Sequence, residues 1–573
     1  MARTSVAIVF AGSGGAGAMT AGTVLLRAAA HAGYFGLMTQ LFGPQVRGGE
    51  AAALLQISTE RIDAQPNRFD LFVALDWDKV EQFSAEIPLD GASVILADPE
   101  GGPVPPAVAK SKARVVTLAM SDPHMTRLEH GLSGRRVNMF AAGVVSALIG
   151  VEARHLQAAV ESVLAGKGAE AVAANGASAA AGIAAAAGLT LNLRVDPPQP
   201  AARWLISGNQ ALALGALRGG VRFVGCYPIT PATDLVEWLA PELRKLGGHL
   251  VQAEDELAAI NMTLGASYGG TPAMTVTSGP GISLMGETLG LAVAAEIPAV
   301  IIDVMRAGPS TGIASKTEQS DVNIAIYGGH GDAPRVVLAP TSVADCLNTA
   351  EYAVYVAESL QTPVIVLSDQ ALGQARMVID PTGARPNPLK RRTNGAPHGT
   401  PLFKRYAVDS DPITPMPIPG KPGYQWVAEG LTHNEVGLPA SGAGMHAAQI
   451  NKRARKLQRF DPGELWGETW GEGDTVLLTF GSSVGPARVA ARRLAAAGQR
   501  VRVVALRVLS PLPMQAIARA IHGARRIIVI EQNHGAQLYR HLVGQKAIPP
   551  SAESVARPGP LPFRPSEVAS YVM

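Results

Sequence analysis

The chain has 573 residues, 47% apolar and 17% charged, with 62 Gly and 42 Pro, a composition that suggests several packed domains and excludes disordered and fibrous classes. A net charge of +3 without a long basic block argues against a nucleic-acid surface, and Lys390-Arg-Arg392 reads as a solvated loop. Two cysteines, Cys226 and Cys346, are too few for a disulfide framework, a zinc site or a cubane iron–sulfur cluster, which points to a reducing compartment.

The apolar run 6–10 leads into Ala-Gly-Ser-Gly-Gly-Ala-Gly17 and an Ala/Leu-rich segment reaching residue 30. That order reads strand, glycine loop, helix. Gly12, Ser13, Gly14, Gly15, Ala16 and Gly17 therefore form a candidate phosphate cradle at a helix N-terminus. Residues 36–43 lack the acid that a dinucleotide fold places about twenty residues on, so NAD is disfavoured and another phosphate-bearing ligand preferred. Because the first apolar run ends in glycines rather than a cleavage site, a cytoplasmic location is expected. Ala-rich stretches at 177–187 and 289–304 are interrupted by Gly, Glu or Pro, and no membrane span is expected.

Arg47, between turn-forming residues, suits either a phosphate or carboxylate contact or a surface hairpin. The α/β alternation continues through 51–57, 71–75, 93–97, 114–118 and 139–148. A proline-rich joint at 194–202 closes a first domain, 1–193.

A second domain, 203–380, repeats strand, loop and helix. In Val221-Arg-Phe-Val-Gly-Cys-Tyr-Pro-Ile-Thr-Pro231 an apolar run breaks at Pro228, and Thr230 is expected to cap a helix whose first residue is Pro231. Runs 250–253, 273–277 and 299–305 lead into Glu254-Asp-Glu256, Ser278-Gly-Pro-Gly281 and Arg306-Ala-Gly-Pro309. In an open parallel sheet the loops after strand C-termini gather at one edge, so Thr230, Glu256, the Ser278 turn and Arg306 should converge. A Pro/Gly/Lys/Arg-rich stretch within a connecting segment, 381–472, precedes a last α/β unit, 473–573, in which Glu531-Gln-Asn533 ends a strand where a site residue or subunit contact could lie.

Taken together, Gly12-Ser-Gly-Gly-Ala-Gly17, Arg47-Gly-Gly49, Tyr227-Pro-Ile-Thr-Pro231, Glu254-Asp-Glu-Leu-Ala-Ala259 with Gly265-Ala-Ser267, Thr277-Ser-Gly-Pro-Gly281, Arg306-Ala-Gly-Pro-Ser-Thr-Gly312, Lys316-Thr-Glu-Gln319 and Glu531-Gln-Asn533 span nearly the whole chain. On these motifs the chain resembles the α subunit of 2-oxoacid:ferredoxin oxidoreductases, in the form with a γ-type domain fused at its N-terminus. It departs from the family at Ala16, where a glutamine is common, and at Ala314-Ser315, where Pro-Thr is common.

The resemblance implies an α/β fold of several domains: a γ-type domain with the glycine loop, a pyrimidine-type thiamine diphosphate domain with a parallel sheet, and a transketolase C-terminal-like domain. It implies thiamine diphosphate contacts from Tyr227, Pro228, Ile229, Glu256, Ser278, Gly279 and Pro280, with Glu256 bonding the pyrimidine ring and catalytic roles for Glu256, Thr230 and Arg306. Thr230, Arg306 and Lys316 would orient the 2-oxo acid, and the Gly12 loop with Arg47 would bind CoA. The sequence shows no Gly-Asp-Gly with paired asparagines and no cluster cysteines. Half the active site must then lie elsewhere, and the resemblance implies Mg²⁺ and a [4Fe-4S] cluster on a separate β subunit, in an (αβ)2 assembly that reduces ferredoxin. The fused arrangement looks like the 2-oxoglutarate branch, with pyruvate second. A non-oxidative thiamine enzyme subunit and a nucleotide-binding scaffold are the competing classes.

Overall fold

The computed structural model describes residues 3–43, 49–78, 80–120, 136–383, 391–394 and 403–573. Contacts divide the chain into two units: 1–207 with 374–382 and 564–566, and 208–373 with 383–563 and 567–573.

The first unit is built on an eight-stranded sheet in the spatial order Arg114–Thr117, Val94–Ala97, Leu71–Ala74, Ser5–Ser13, Glu50–Ser58, Phe35–Phe42, Arg376–Ile379, Trp204–Ser207. Ser5–Ser13 is central, buried from Val6 to Gly12, and pairs antiparallel with Glu50–Ser58 but parallel with Leu71–Ala74. A mixed sheet of this kind is not the doubly wound dinucleotide fold, in keeping with the missing acid. The domain boundary expected at 194–202 is corrected by the last two strands. Trp204–Ser207 pairs antiparallel with Arg376–Ile379, which in turn pairs with Phe35–Phe42, so both strands belong to the N-terminal sheet. The joint itself lies along this unit: Val195 N donates to Ile149 O at 3.0 Å and Asp196 N to Arg3 O at 2.9 Å.

Helices Ala18–His31, Val137–Ile149, Ala153–Leu164 and Ala169–Ala185 cover one face of this sheet. Among the described residues one helical stretch, Ala169–Gly188, is long and apolar enough to cross a membrane by length and composition. It packs instead on Val137–Ile149 at backbone distance. A Cβ at Gly182 would stand 2.0 Å from Phe140 O, and one at Gly143 2.0 Å from Ala179 O.

The second unit holds two sheets. Seven strands run in the order Val508–Ser510, Val336–Leu338, Pro363–Asp369, Ala299–Met305, Ala273–Thr277, Phe223–Cys226, His249–Gln252, all parallel except the first. Ala299–Met305 and Pro363–Asp369 are buried throughout, as near-continuous apolar runs in a parallel sheet should be. A five-stranded sheet, Gly467–Trp470, Val501–Leu506, Thr475–Thr479, Arg526–Glu531, Glu553–Ala556, shares a core with it through Ile301, Leu367, Leu478, Phe480 and Val529.

Glu531-Gln-Asn533 forms an internal latch in this unit. The buried Glu531 carboxylate accepts from Leu538 N at 2.8 Å and Tyr539 N at 2.9 Å, satisfying the start of helix Gln537–Gly544. Gln532 N donates to Gln319 Oε1 at 2.9 Å, and Asn533 Nδ2 to Gln319 O at 3.1 Å. The described part of the connecting segment is also packed, with Phe403, Tyr406, Met416 and Trp426 buried against Leu264 and Ile297.

Candidate active site

Four adjacent parallel strands of the second unit, Ala299–Met305, Ala273–Thr277, Phe223–Cys226 and His249–Gln252, end at one edge of their sheet. The turns that leave this edge carry Arg306, Ser278, Thr230 and Glu256.

Tyr227 and Pro228 are exposed and Ile229 is half-buried. The cap expected at Thr230 is not formed. The helix is Thr233–Lys245, preceded by Ala232 with no side-chain cap. Both carbonyls that would open a helix at Thr230 and Pro231 are taken from elsewhere: Arg306 Nη1 donates to Thr230 O at 2.7 Å, and Asn209 Nδ2 to Pro231 O at 2.9 Å. Thr230 is exposed, with its hydroxyl free of any cap duty. Cys226, just before the turn, is buried, and burial pushes its thiol up to about 11, which keeps it protonated and unreactive.

Glu256 opens helix Glu256–Tyr268, but the N-cap is Asp255, whose Oδ1 accepts from Ala258 N at 2.7 Å. The local chemistry of a helix start is thus met by Asp255. Glu256 is 7% exposed, and among the described residues no donor reaches its carboxylate. Gly281 faces it. A Cβ there would stand 2.0 Å from Thr277 Oγ1 and 2.9 Å from Glu256 Oε1. Ser278, fully buried, starts the short helix Gly279–Leu284 without a side-chain cap, and its Oγ has no hydrogen-bond partner.

Arg306 is 8% exposed, and its Nε is buried without a partner. Burial pulls its pKa down, while the charges of Asp321 and Glu256 hold it up. Beyond it the chain folds back on itself: Ala307 N donates to Lys316 O at 3.0 Å and Ile313 N to Ala307 O at 2.9 Å. Lys316 closes this loop through its backbone, with a half-buried side chain. The structure thus joins Arg306 to Thr230 directly and couples Arg306 to Glu256 by charge. Asn209, Asp303 and Asp321 were not singled out from the sequence. An acid inside the otherwise apolar run 299–305 was the available signal for Asp303.

In the first unit the glycine loop is engaged by an acid. Ser13 N donates to Asp76 Oδ1 at 2.9 Å and Ser13 Oγ to Asp76 Oδ2 at 2.8 Å, while Gly14 N donates to Gly49 O at 2.7 Å and Ala16 N to Ser13 O at 2.9 Å. The Ser13 donors expected to face a phosphate therefore face Asp76, which follows the neighbouring parallel strand Leu71–Ala74. Gly17 precedes helix Ala18–His31, whose start has no side-chain cap. Arg47 lies outside the described residues. Among the described residues, no group of three or more His, Cys, Asp or Glu side chains is placed to hold a metal ion.

Three family models match in chain order: "Pyruvate ferredoxin/flavodoxin oxidoreductase" at residues 7–185, "Pyruvate flavodoxin/ferredoxin oxidoreductase, thiamine diP-bdg" at 214–452 and "Transketolase, C-terminal domain" at 469–536. Together with the sheet edge just described, they define the class as a subunit of a thiamine diphosphate-dependent oxidoreductase. A "2-oxoglutarate oxidoreductase subunit KorA" from Mycobacterium tuberculosis is 33% identical across 99% of this chain and 91% of its own length. A "2-oxoglutarate synthase subunit KorA" from Archaeoglobus fulgidus is 37% identical across 58% of this chain and 88% of its own length. The solved "2-oxoglutarate:ferredoxin oxidoreductase from Magnetococcus marinus with 2-oxoglutarate, coenzyme A and succinyl-CoA bound" superposes with a TM-score of 0.89 at 34% identity, covering 100% of this chain and 99% of that one. The chain belongs to the 2-oxoacid:ferredoxin oxidoreductase family.

Proposed function

We propose that this chain is the α-type subunit of a 2-oxoglutarate:ferredoxin oxidoreductase, forming succinyl-CoA and CO₂ with reduction of ferredoxin, or running the reverse carboxylation. The observation that carries the reading is the meeting of Glu256, Thr230 and Arg306 at one sheet edge. The substrate printed in the names of its relatives supports the choice of 2-oxo acid.

The residues present fit thiamine diphosphate. Glu256 offers an acceptor with no protein donor, Gly281 lets its backbone lie directly against Thr277 and Glu256 where any side chain would collide, and Ser278 Oγ is buried and unpaired. When bound, the cofactor supplies carbanion chemistry that no side chain offers. Glu256 accepts a hydrogen bond from the pyrimidine ring nitrogen and holds the proton there, while Tyr227, Pro228, Ile229, Ser278, Gly279 and Pro280 form the wall around the ring. Arg306 gives charge-assisted bonds to the carboxylate next to the ketone, with Thr230 beside it, and Lys316 takes the second carboxylate. The Gly12–Gly17 loop and Arg47 are assigned to CoA, with the Asp76 carboxylate restricting phosphate to donors other than those of Ser13.

The relatives are named as subunits. We assign Mg²⁺ and the [4Fe-4S] centre to a β subunit, in an (αβ)2 complex that acts on ferredoxin in the cytoplasm; the family resemblance supports this assignment, and the lack of metal–diphosphate and cluster-cysteine motifs in this sequence is in keeping with it. Co-purification with that partner, followed by CoA-dependent dye reduction across a panel of 2-oxo acids, tests the reading. The expected order has 2-oxoglutarate first in kcat/KM. Pyruvate first would move the chain to the neighbouring branch, and turnover without an electron acceptor would make it a non-oxidative thiamine enzyme.

A further inference from the structure

Gln319 is fully buried, and each of its polar groups is bonded to another part of the second unit. Its backbone N donates to Gln532 O at 2.7 Å and its backbone O accepts from Asn533 Nδ2 at 3.1 Å. Oε1 accepts from Gln532 N at 2.9 Å and from Ser483 Oγ at 3.0 Å, while Nε2 donates to Phe480 O at 3.0 Å and to Asp369 Oδ2 at 3.4 Å. Donors facing Oε1 and acceptors facing Nε2 fix which way the amide points. Gly481, at φ 59°, brings its backbone against that amide, and a Cβ there would stand 2.5 Å from Gln319 Nε2. A carboxylate in place of the amide would lack the donors, and a shorter amide would not span the same partners.

Such saturation is not needed to join the two sheets of this unit, which already share a core through Ile301, Leu367, Leu478, Phe480 and Val529. A buried polar network adds little net stability but specifies one arrangement. What it arranges is the chain just before it. After strand Ala299–Met305 the segment runs exposed from Gly308 to Ile313, returns half-buried to Lys316 and is buried from Thr317. Ala307 N donates to Lys316 O at 3.0 Å, which sets the outgoing and returning limbs side by side next to Arg306. Thr317 Oγ1 donates to Asp369 Oδ1 at 3.4 Å, and the Glu318 carboxylate accepts from Gly308 N at 3.3 Å and from Gly559 N at 3.4 Å. The returning limb is thus pinned at residues 317–319, and the loop is strung between that point and the end of the strand.

We propose that Gln319 is a positioning residue for the 2-oxo acid, whose amide sets the register of the 306–316 loop and with it the span between Arg306 and Lys316. The inference rests on the proposed reading in which Arg306 takes the carboxylate next to the ketone and Lys316 the second one. A dicarboxylic 2-oxo acid is held at both ends only when that span fits its length. A monocarboxylic 2-oxo acid uses Arg306 alone and is indifferent to the register.

The test uses the complex reconstituted with its partner subunit, in Gln319→Asn, which withdraws the amide by one methylene, and in the milder Ser483→Ala, which removes one donor to Oε1. Hydrogen exchange reads the loop directly. Exchange of the 307–316 amides should quicken about tenfold in Gln319→Asn, while that of strand Pro363–Asp369 stays as in the wild type. KM for 2-oxoglutarate should rise about tenfold, with a smaller change in kcat, and KM for pyruvate, or its inhibition constant where it is not turned over, by less than about twofold. Ser483→Ala should move the loop exchange and the 2-oxoglutarate KM in the same direction by about threefold, and it decides the matter if Gln319→Asn does not fold. Unchanged loop exchange, or equal changes for both acids, overturns the positioning role. The substrate reading fails separately: a wild-type complex that turns over pyruvate ahead of 2-oxoglutarate overturns it whatever the variants show, while exchange still decides whether Gln319 holds the loop.

Discussion

Arg306 donates from Nη1 to the carbonyl oxygen of Thr230 at 2.7 Å, a bond between residues 76 positions apart that fixes the turn after one strand to the turn after another. That bond takes the carbonyl a helix start would have used. It leaves the Thr230 hydroxyl facing outward rather than capping.

Thr230→Ala is accordingly expected to change stability by no more than about 0.5 kcal/mol, as for an exposed side chain without a structural partner. Its kcat/KM for the 2-oxo acid should fall about tenfold, the cost of one lost polar contact in the site. Chemical denaturation and steady-state kinetics on the same preparation check this. Activity that merely tracks lost stability would remove Thr230 from the substrate site.

Glu256→Gln should fold normally and lose turnover by about two to four orders of magnitude, because an amide cannot hold the ring proton as a carboxylate does. Gly281→Ala approaches the same group from the other side. Its methyl would meet Thr277 Oγ1 and Glu256, so Glu256 must shift or the helix must tilt. A destabilisation of about 1–3 kcal/mol is expected for such overpacking, with a fall in turnover larger than that loss explains. Wild-type turnover in Gly281→Ala would show that the position of Glu256 is not critical.

The connecting segment is held by one buried carboxylate among cations. Glu296 lies 2.7 Å from Lys452 Nζ, is paired with Lys456 and has Arg405 at 3.9 Å. Glu296→Gln leaves those cations buried and uncompensated, and should cost about 3–5 kcal/mol in denaturant unfolding. A cost under about 1 kcal/mol would mean that water already screens the cluster.

Acid should destabilise the fold through Asp345 as well. Burial alone would raise its pKa, but the Arg507 guanidinium, at 2.8 Å, holds it below the usual carboxylate value. A carboxyl with a lowered folded pKa gives stability that is present above its unfolded pKa of about 4 and lost as pH falls below it. Unfolding free energy measured between about pH 5 and pH 3 should fall steeply in the wild type and less steeply in Arg507→Met. Parallel slopes would assign the acid sensitivity elsewhere.

Much of the sheet edge was legible in the chain because its strands are bounded chemically. Pro298 and Arg306 bracket the apolar run 299–305, and the observed strand is Ala299–Met305. The turn chemistry was less legible where distant residues decide it. Nothing near Thr230 announces that Asn209 and Arg306 will take the carbonyls a cap needs. The same holds for Trp204–Ser207 and Arg376–Ile379, short strands whose partner sheet lies far along the chain. Asp76 escaped notice because its meaning depends on the parallel pairing of Leu71–Ala74 with Ser5–Ser13, which sets it opposite Ser13.

The two-subunit reading is tested most directly by calorimetry of thiamine diphosphate with Mg²⁺ on this chain alone and after addition of the partner subunit. The chain offers Glu256 and Arg306, to which the proposed function gives the ring contact and the substrate carboxylate, but its sequence lacks the metal–diphosphate motif and the cluster cysteines. Little binding alone, with binding and ferredoxin reduction both restored by the partner, is the expected result. Tight binding with 2-oxo acid oxidation by the isolated chain would contradict it.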